Sequence, residues 1–133
     1  MQTQLEFHSP DFRDPDGQGN TYNPDIQGRT LAAYLSQKFR DRGFDGQVIE
    51  EDWGWMIELK REPFPLWLGC ASHGGSDGWL VFIEPSKPIV RKWFKKFDTR
   101  AEVSVTAKIL EEVVTESGAT NLKWWSGDEP GRK

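Results

Sequence analysis

The chain has 133 residues, a formal net charge of −4 and a hydrophobic fraction of 36%, much of it supplied by seven Trp and eight Phe. That length supports one aromatic-rich core without covalent staples, and a single cysteine, Cys70, excludes an internal disulfide and a four-thiolate zinc site. The first residues, "MQTQLEFHSP", lack the basic start and apolar run of a signal peptide, and "PFPLWLGCA" falls well short of the roughly 18 apolar residues of a membrane span, so a cytoplasmic protein without membrane contact is expected.

In chain order, "LEFH" (5–8) reads as a short strand closed by Pro10. Residues 14–25 then match a calcium loop in part. Asp14, Asp16, Gln18, Asn20 and Asp25 fall at ligand positions one, three, five, seven and twelve, with Gly19 at the sharp turn. Against calcium, Gln18 replaces the usual Asp or Asn, Asp25 is shorter than the bidentate Glu, and Pro10 and Pro15 leave no helix ahead of the loop. The segment therefore reads as a turn-rich loop of residues that bend easily, with no cofactor expected and calcium as the alternative. Asn23 and Pro24 offer a helix cap and first position, but Gly28 delays the helix to about Arg29. Its core stripe is Leu31, Ala32, Leu35 and Phe39, its stop is Gly43, and Phe44 is placed to fold back over the last turn.

Between 47 and 60, Ile49, Trp53, Trp55, Ile57 and Leu59 share one parity and Glu50, Asp52, Glu58 and Lys60 the other. Gly54 favours two strands joined near "DWG". Residues 64–72 and 79–85 read as a hairpin around "HGGSDG". In "PIVRKWFKKF" (88–97), Ile89, Val90, Trp93, Phe94 and Phe97 gather on one side at helical spacing. This predicts a helix with its rings inward and Arg91, Lys92, Lys95 and Lys96 as an exposed ridge. "TRAE" (99–102) is a capping box with Glu102 reaching back to Thr99, opening a helix striped by Val103, Ala107, Leu110, Val113 and Val114 and ended by Gly118. "NLKWW" (121–125) fits a last strand whose adjacent Trp124 and Trp125 must face opposite ways. The expected order is β-α-β-β-β-β-α-α-β: an α+β fold whose mostly antiparallel sheet of five to six strands carries helices on one face. One domain, 1–125, and a disordered tail, 126–133, are expected.

Several stretches resemble one family of small uncharacterised bacterial proteins: "GRTLAAYL" with "RGF", "EEDWGW", "FPLWLGCAS", "WLVFIEPS", "FDTRAEV" and the closing "KWW". The shared patterns are E-x-D-W-G-W, L-W-x-G-C and W-W. The likeness spans roughly 28–125, leaves the 14–20 segment outside, and implies no activity. A looser similarity of type is to the immunity proteins of bacterial toxin systems, small acidic cytosolic α+β proteins, and it implies a protein partner.

Charge is uneven. Lys87, Arg91, Lys92, Lys95, Lys96 and Arg100 against Asp98 make a local +5, so the rest of the chain carries −9. Such a dipole suits a charged partner rather than general nucleic-acid binding, and the helical sorting of cations from rings argues against single strands as well. The expected function is non-enzymatic recognition of a protein, by the ridge Arg91, Lys92, Lys95 and Lys96 and by a sheet face bearing Trp124 or Trp125. The alternative is a small-molecule binder or hydrolase with an aromatic pocket of Trp53, Trp55, Glu51, Asp52, Cys70 and His73. Cys70, His73, Ser76 and Asp77 lie close in sequence, but a glycine-rich tip is a poor frame for a nucleophile and base, and Cys70 shares parity with Phe64, Leu66 and Leu68. The acidic run Glu50, Glu51, Asp52 with Glu58 could hold a raised carboxylate beside Trp53 or Trp55, or simply edge a solvated turn.

Overall fold

Alternating burial builds the sheet in the computed structural model of the chain, which describes residues 1–75 and 77–127. Leu5 and Phe7 of β1 (Gln2–His8), Trp55, Ile57 and Leu59 of β3 (Gly54–Lys60), Leu66, Leu68 and Cys70 of β4 (Leu66–Ser72), and Trp79, Val81 and Ile83 of β5 (Gly78–Glu84) all point to one buried face. Each fully buried aliphatic chain contributes about 1.5–3 kcal/mol. With β2 (Gln47–Glu51) and β8 (Thr120–Ser126) these strands form a six-stranded antiparallel sheet in the order β2-β3-β4-β5-β1-β8. Strands β2 to β5 are a meander; β1 then inserts between β5 and β8.

Two helices fill that face. Helix α1 (Arg29–Arg40) packs on β3 and β2, and α2 (Arg100–Glu116) on β1 and β5. The Tyr34 hydroxyl ties them together by donating to the Val113 carbonyl at 2.6 Å. Leu31, Leu35 and Phe39 meet Val103, Leu110, Val113 and Val114 in a single core. Gly43, at φ 90°, turns the chain so that the Phe44 ring lies edge-on to Phe39 at 5.3 Å. The fold is thus α+β, with a main sheet of antiparallel strands and no parallel pairing of the terminal ones.

Three local expectations are corrected. Residues 88–97 are not a helix. They form a second, two-stranded sheet, β6 (Ile89–Lys92) and β7 (Lys95–Asp98), with Trp93 and Phe94 as its turn. A ten-residue helix is marginal by itself, whereas this hairpin closes locally. Val90 faces Phe97 across the ladder, Phe97 meets the buried Phe64 at 6.3 Å, and the Thr99 amide donates to the Pro88 carbonyl at 2.9 Å. Nor does Thr99 cap α2 by its side chain. Its hydroxyl donates to the Lys87 carbonyl at 2.6 Å, Asp98 accepts from the Arg100 amide at 3.0 Å, and Glu102 pairs with Lys60 instead of reaching back. Finally, β8 extends through Ser126; of the expected tail, residues 128–133 lie outside the described residues.

Candidate functional site

The β6–β7 hairpin ends in two uncovered rings. Trp93 is 86% exposed and Phe94 99% exposed. Trp93 also holds φ at 61°, a left-handed conformation that a bulky side chain rarely adopts. Behind the rings, cations sit directly opposite cations: Lys92 faces Lys95 and Arg91 faces Lys96. Like charges opposed across a ladder oppose its formation. Among the described residues only Lys92 of the four has an ion pair, to Glu62 at 2.7 Å. Arg100 is not part of this set, because its guanidinium grips Asp98 at 2.6 Å and holds that carboxyl down at about 2. Alternation sends Lys92 and Lys95 to the side that bears Val90 and Phe97, and Arg91 and Lys96 to the other. Open grooves flank the hairpin, one of ≈ 390 Å³ along Glu62, Pro63 and Phe97, the other of ≈ 420 Å³ along Phe64, Pro65 and Trp67.

The remaining tryptophans divide between the two sheet faces. Register places Trp125 beside Gln4, on the face away from the helices, whereas Trp124 lies beside Leu5, packs on the core and donates its Nε1–H to Glu111 of α2 at 2.8 Å. Of the two expected partner residues, then, only Trp125 reaches the outer face, with Lys123 Nζ 4.3 Å from its ring centroid. Trp53 and Trp55, expected on one side, are separated. Gly54, at φ 152°, redirects the chain, so Trp55 is buried under α1 while Trp53 meets Trp67 at 6.1 Å and Phe82 at 5.3 Å on the outer face. Gly69 makes room for this cluster; a Cβ there would overlap the Phe82 ring.

The calcium-like loop spends its side chains on the fold. Asp14 Oδ2 accepts from the amides of Gly28 at 2.9 Å and Arg29 at 3.1 Å, and Oδ1 from Thr30 at 2.8 Å. It is therefore the anionic cap of α1, where the helix leaves its amides unpaired and its dipole is positive. Asn20 is buried, donates to the carbonyls of Glu51 and Gly54, and accepts from the amides of Tyr22 and Asn23. Asp16, Gln18 and Asp25 are exposed. Among the described residues no group of three His, Cys, Asp or Glu side chains is placed to hold a metal ion.

Nor does the pocket set assemble. Cys70 lies in the core, 3.8 Å from the Gly28 carbonyl, where burial pushes its thiol far above the ordinary range. His73 is exposed beyond the end of β4, 3.8 Å from Glu6, and Ser76 lies outside the described residues. Of the acidic run, Glu50 accepts from the Thr21 hydroxyl at 3.1 Å and approaches Arg29 at 3.6 Å; Glu51 ends β2 opposite Gly54, and Asp52 lies in the turn that follows. Among the described residues no nucleophile and base meet there. Sequence reasoning missed Trp93 and Phe94 as surface residues, and "RKWFKK" carried no turn signal to find them, since its centre lacks the Asn, Asp or Gly of a two-residue hairpin loop. No helix among the described residues is long and apolar enough to cross a membrane. Comparison with protein families, with curated proteins and with solved structures found no match.

Proposed function

We propose that this protein is a non-enzymatic recognition module that docks on an anionic surface through the β6–β7 hairpin. The observation that carries this reading is the tip itself. Two rings, 86% and 99% exposed, stand on a ladder of opposed cations, an arrangement that disfavours the free hairpin and favours a partner bringing negative charge and apolar cover together. Electrostatic steering from a local +5 in a −4 molecule would orient the encounter. The separation of Cys70 from His73 gives no support to the hydrolase alternative. A cytoplasmic location belongs to the same proposal, since a lone free thiol suits a reducing compartment.

Capture from cell extract, with soluble and membrane fractions kept apart, tests it. The wild-type chain should hold a partner that both Trp93→Ser/Phe94→Ser and Arg91→Glu/Lys96→Glu release, while both variants keep the native near-ultraviolet circular dichroism. Undiminished capture by both variants removes the hairpin from the function.

A further inference from the structure

We infer that the anionic surface is a lipid bilayer, which the hairpin enters tip-first; this rests on the hairpin being the docking element. Three features favour a plane of lipid headgroups, one of them directly against a strand of nucleic acid.

The first is depth. The rings occupy the turn, Lys92 and Lys95 stand one residue behind them, and Arg91 and Lys96 two. At about 3.3 Å per strand residue, the cations trail the rings by about 3–7 Å. Interfacial elements sink by about 5–10 Å at the boundary of headgroups and acyl chains, where Trp is favoured. Lys and Arg side chains can extend back from that depth to the phosphates while their stems stay in apolar surroundings.

The second is symmetry about the hairpin. Arg91 and Lys96 face one side and Lys95 the other, with Lys92 paired to Glu62, so cations stand on both sides of the tip. A single nucleic-acid strand running along one side would leave the cations of the other side unneutralised. A plane of headgroups meets both.

The third is the rest of the molecule. With +5 between Lys87 and Arg100, the remaining chain carries −9 and is repelled by an anionic plane. That repulsion holds the body away and leaves the hairpin as the contact. Such docking is peripheral and requires no spanning helix.

The test is flotation of the full chain with vesicles of phosphatidylcholine containing one-third phosphatidylglycerol, against vesicles of phosphatidylcholine alone. The expected result is binding to the anionic vesicles at low salt, weakening as salt shortens the Debye length to about 10 Å at 0.1 M. Arg91→Gln/Lys96→Gln should lower the partition about 25-fold, at about five-fold per charge. Trp93→Ser/Phe94→Ser should lower it at least as far. Wild-type tryptophan emission should shift to the blue on binding; Trp93→Phe should still float but lose most of that shift, assigning it to the tip. Should the charge variant lose native circular dichroism, the exposed Lys95→Gln replaces it with an expected loss of about five-fold; should the ring variant do so, Phe94→Ser, at a fully exposed ring, replaces it. Failure of the wild type to float with anionic vesicles overturns the inference, as does flotation undiminished by Trp93→Ser/Phe94→Ser. Hairpin-dependent binding of single-stranded DNA or of a soluble acidic protein, with no flotation, also overturns the lipid assignment. That last result leaves the docking role of the hairpin standing, whereas capture indifferent to both hairpin variants removes the docking role itself.

Discussion

Replacing Asp14 tests whether a residue that resembles a metal ligand is in fact a helix cap. Its carboxylate accepts three amide hydrogen bonds, of 2.8–3.1 Å, from Thr30, Gly28 and Arg29, fourteen to sixteen residues further along the chain. A side-chain cap contributes about 0.5–2 kcal/mol, and an anion at the positive end of the helix dipole about 0.3–1 kcal/mol more. Gly28 is buried, so its amide cannot turn to water and is stranded at a further cost of about 1–3 kcal/mol. The Arg29 amide bond is only partly buried, so water can replace its acceptor there. Together these terms put Asp14→Ala at about 3 kcal/mol, and Asp14→Asn, which keeps an acceptor and loses the charge, at about half that. Urea unfolding followed by circular dichroism measures the loss; with a slope of about 1–3 kcal/mol/M, the Ala variant's midpoint should fall by about 1–3 M at unchanged slope. A loss below about 0.5 kcal/mol, the range of an ordinary surface change, would refute the capping role.

Four further outcomes follow from the geometry. Gly69→Ala forces a Cβ into the Phe82 ring and should cost about 1–3 kcal/mol in a denaturant titration, with Phe82→Leu restoring part of it. Trp93→Asn places at φ 61° a residue that tolerates left-handed backbone; thermal melts should show a gain of up to about 1 kcal/mol, although the tip ring is gone. Cys70 should resist a disulfide reagent in the native protein from neutral to mildly alkaline pH, because the thiolate is suppressed and shielded, and react fully in denaturant; rapid native labelling would contradict its burial. Melting in calcium and in chelator should give one midpoint, since Asp14 and Asn20 already serve the backbone; a rise of several degrees with calcium would show that they can be recruited away.

The sequence made the main sheet readable because its code is local: parity at Leu66, Leu68 and Cys70, or at Val81 and Ile83, states which side of a strand is buried. Helix α1 was readable from a stripe and a glycine stop. Its cap was not, because Asp14 is brought to the helix by a loop that only the folded chain defines. Residues 88–97 illustrate a different limit. Apolar positions at 89, 90, 93, 94 and 97 satisfy a helical period, yet the same spacing places Val90 opposite Phe97 and the rings in a turn. Periodicity alone does not separate these solutions; the contact with Phe64 and the Thr99–Pro88 closure do, and both are tertiary. Trp53 escaped its parity for a related reason: a glycine at positive φ resets the side-chain count across a two-residue turn.

Strand β1 lies between β5 and β8, paired on one edge with residues 78–82 and on the other with residues 120–126. During synthesis it leaves the ribosome long before either neighbour exists. The β2–β5 meander can take up β1 along β5 as soon as β5 emerges, but the other edge of β1 then stays open, and Trp79, Val81 and Ile83 stay uncovered until α2 follows. Completion waits for β8, a ring closure of more than a hundred residues, which makes the final step slow and leaves the nascent intermediate prone to pairing with other chains. A slow-folding, chaperone-sensitive chain is the consequence of where this one strand sits.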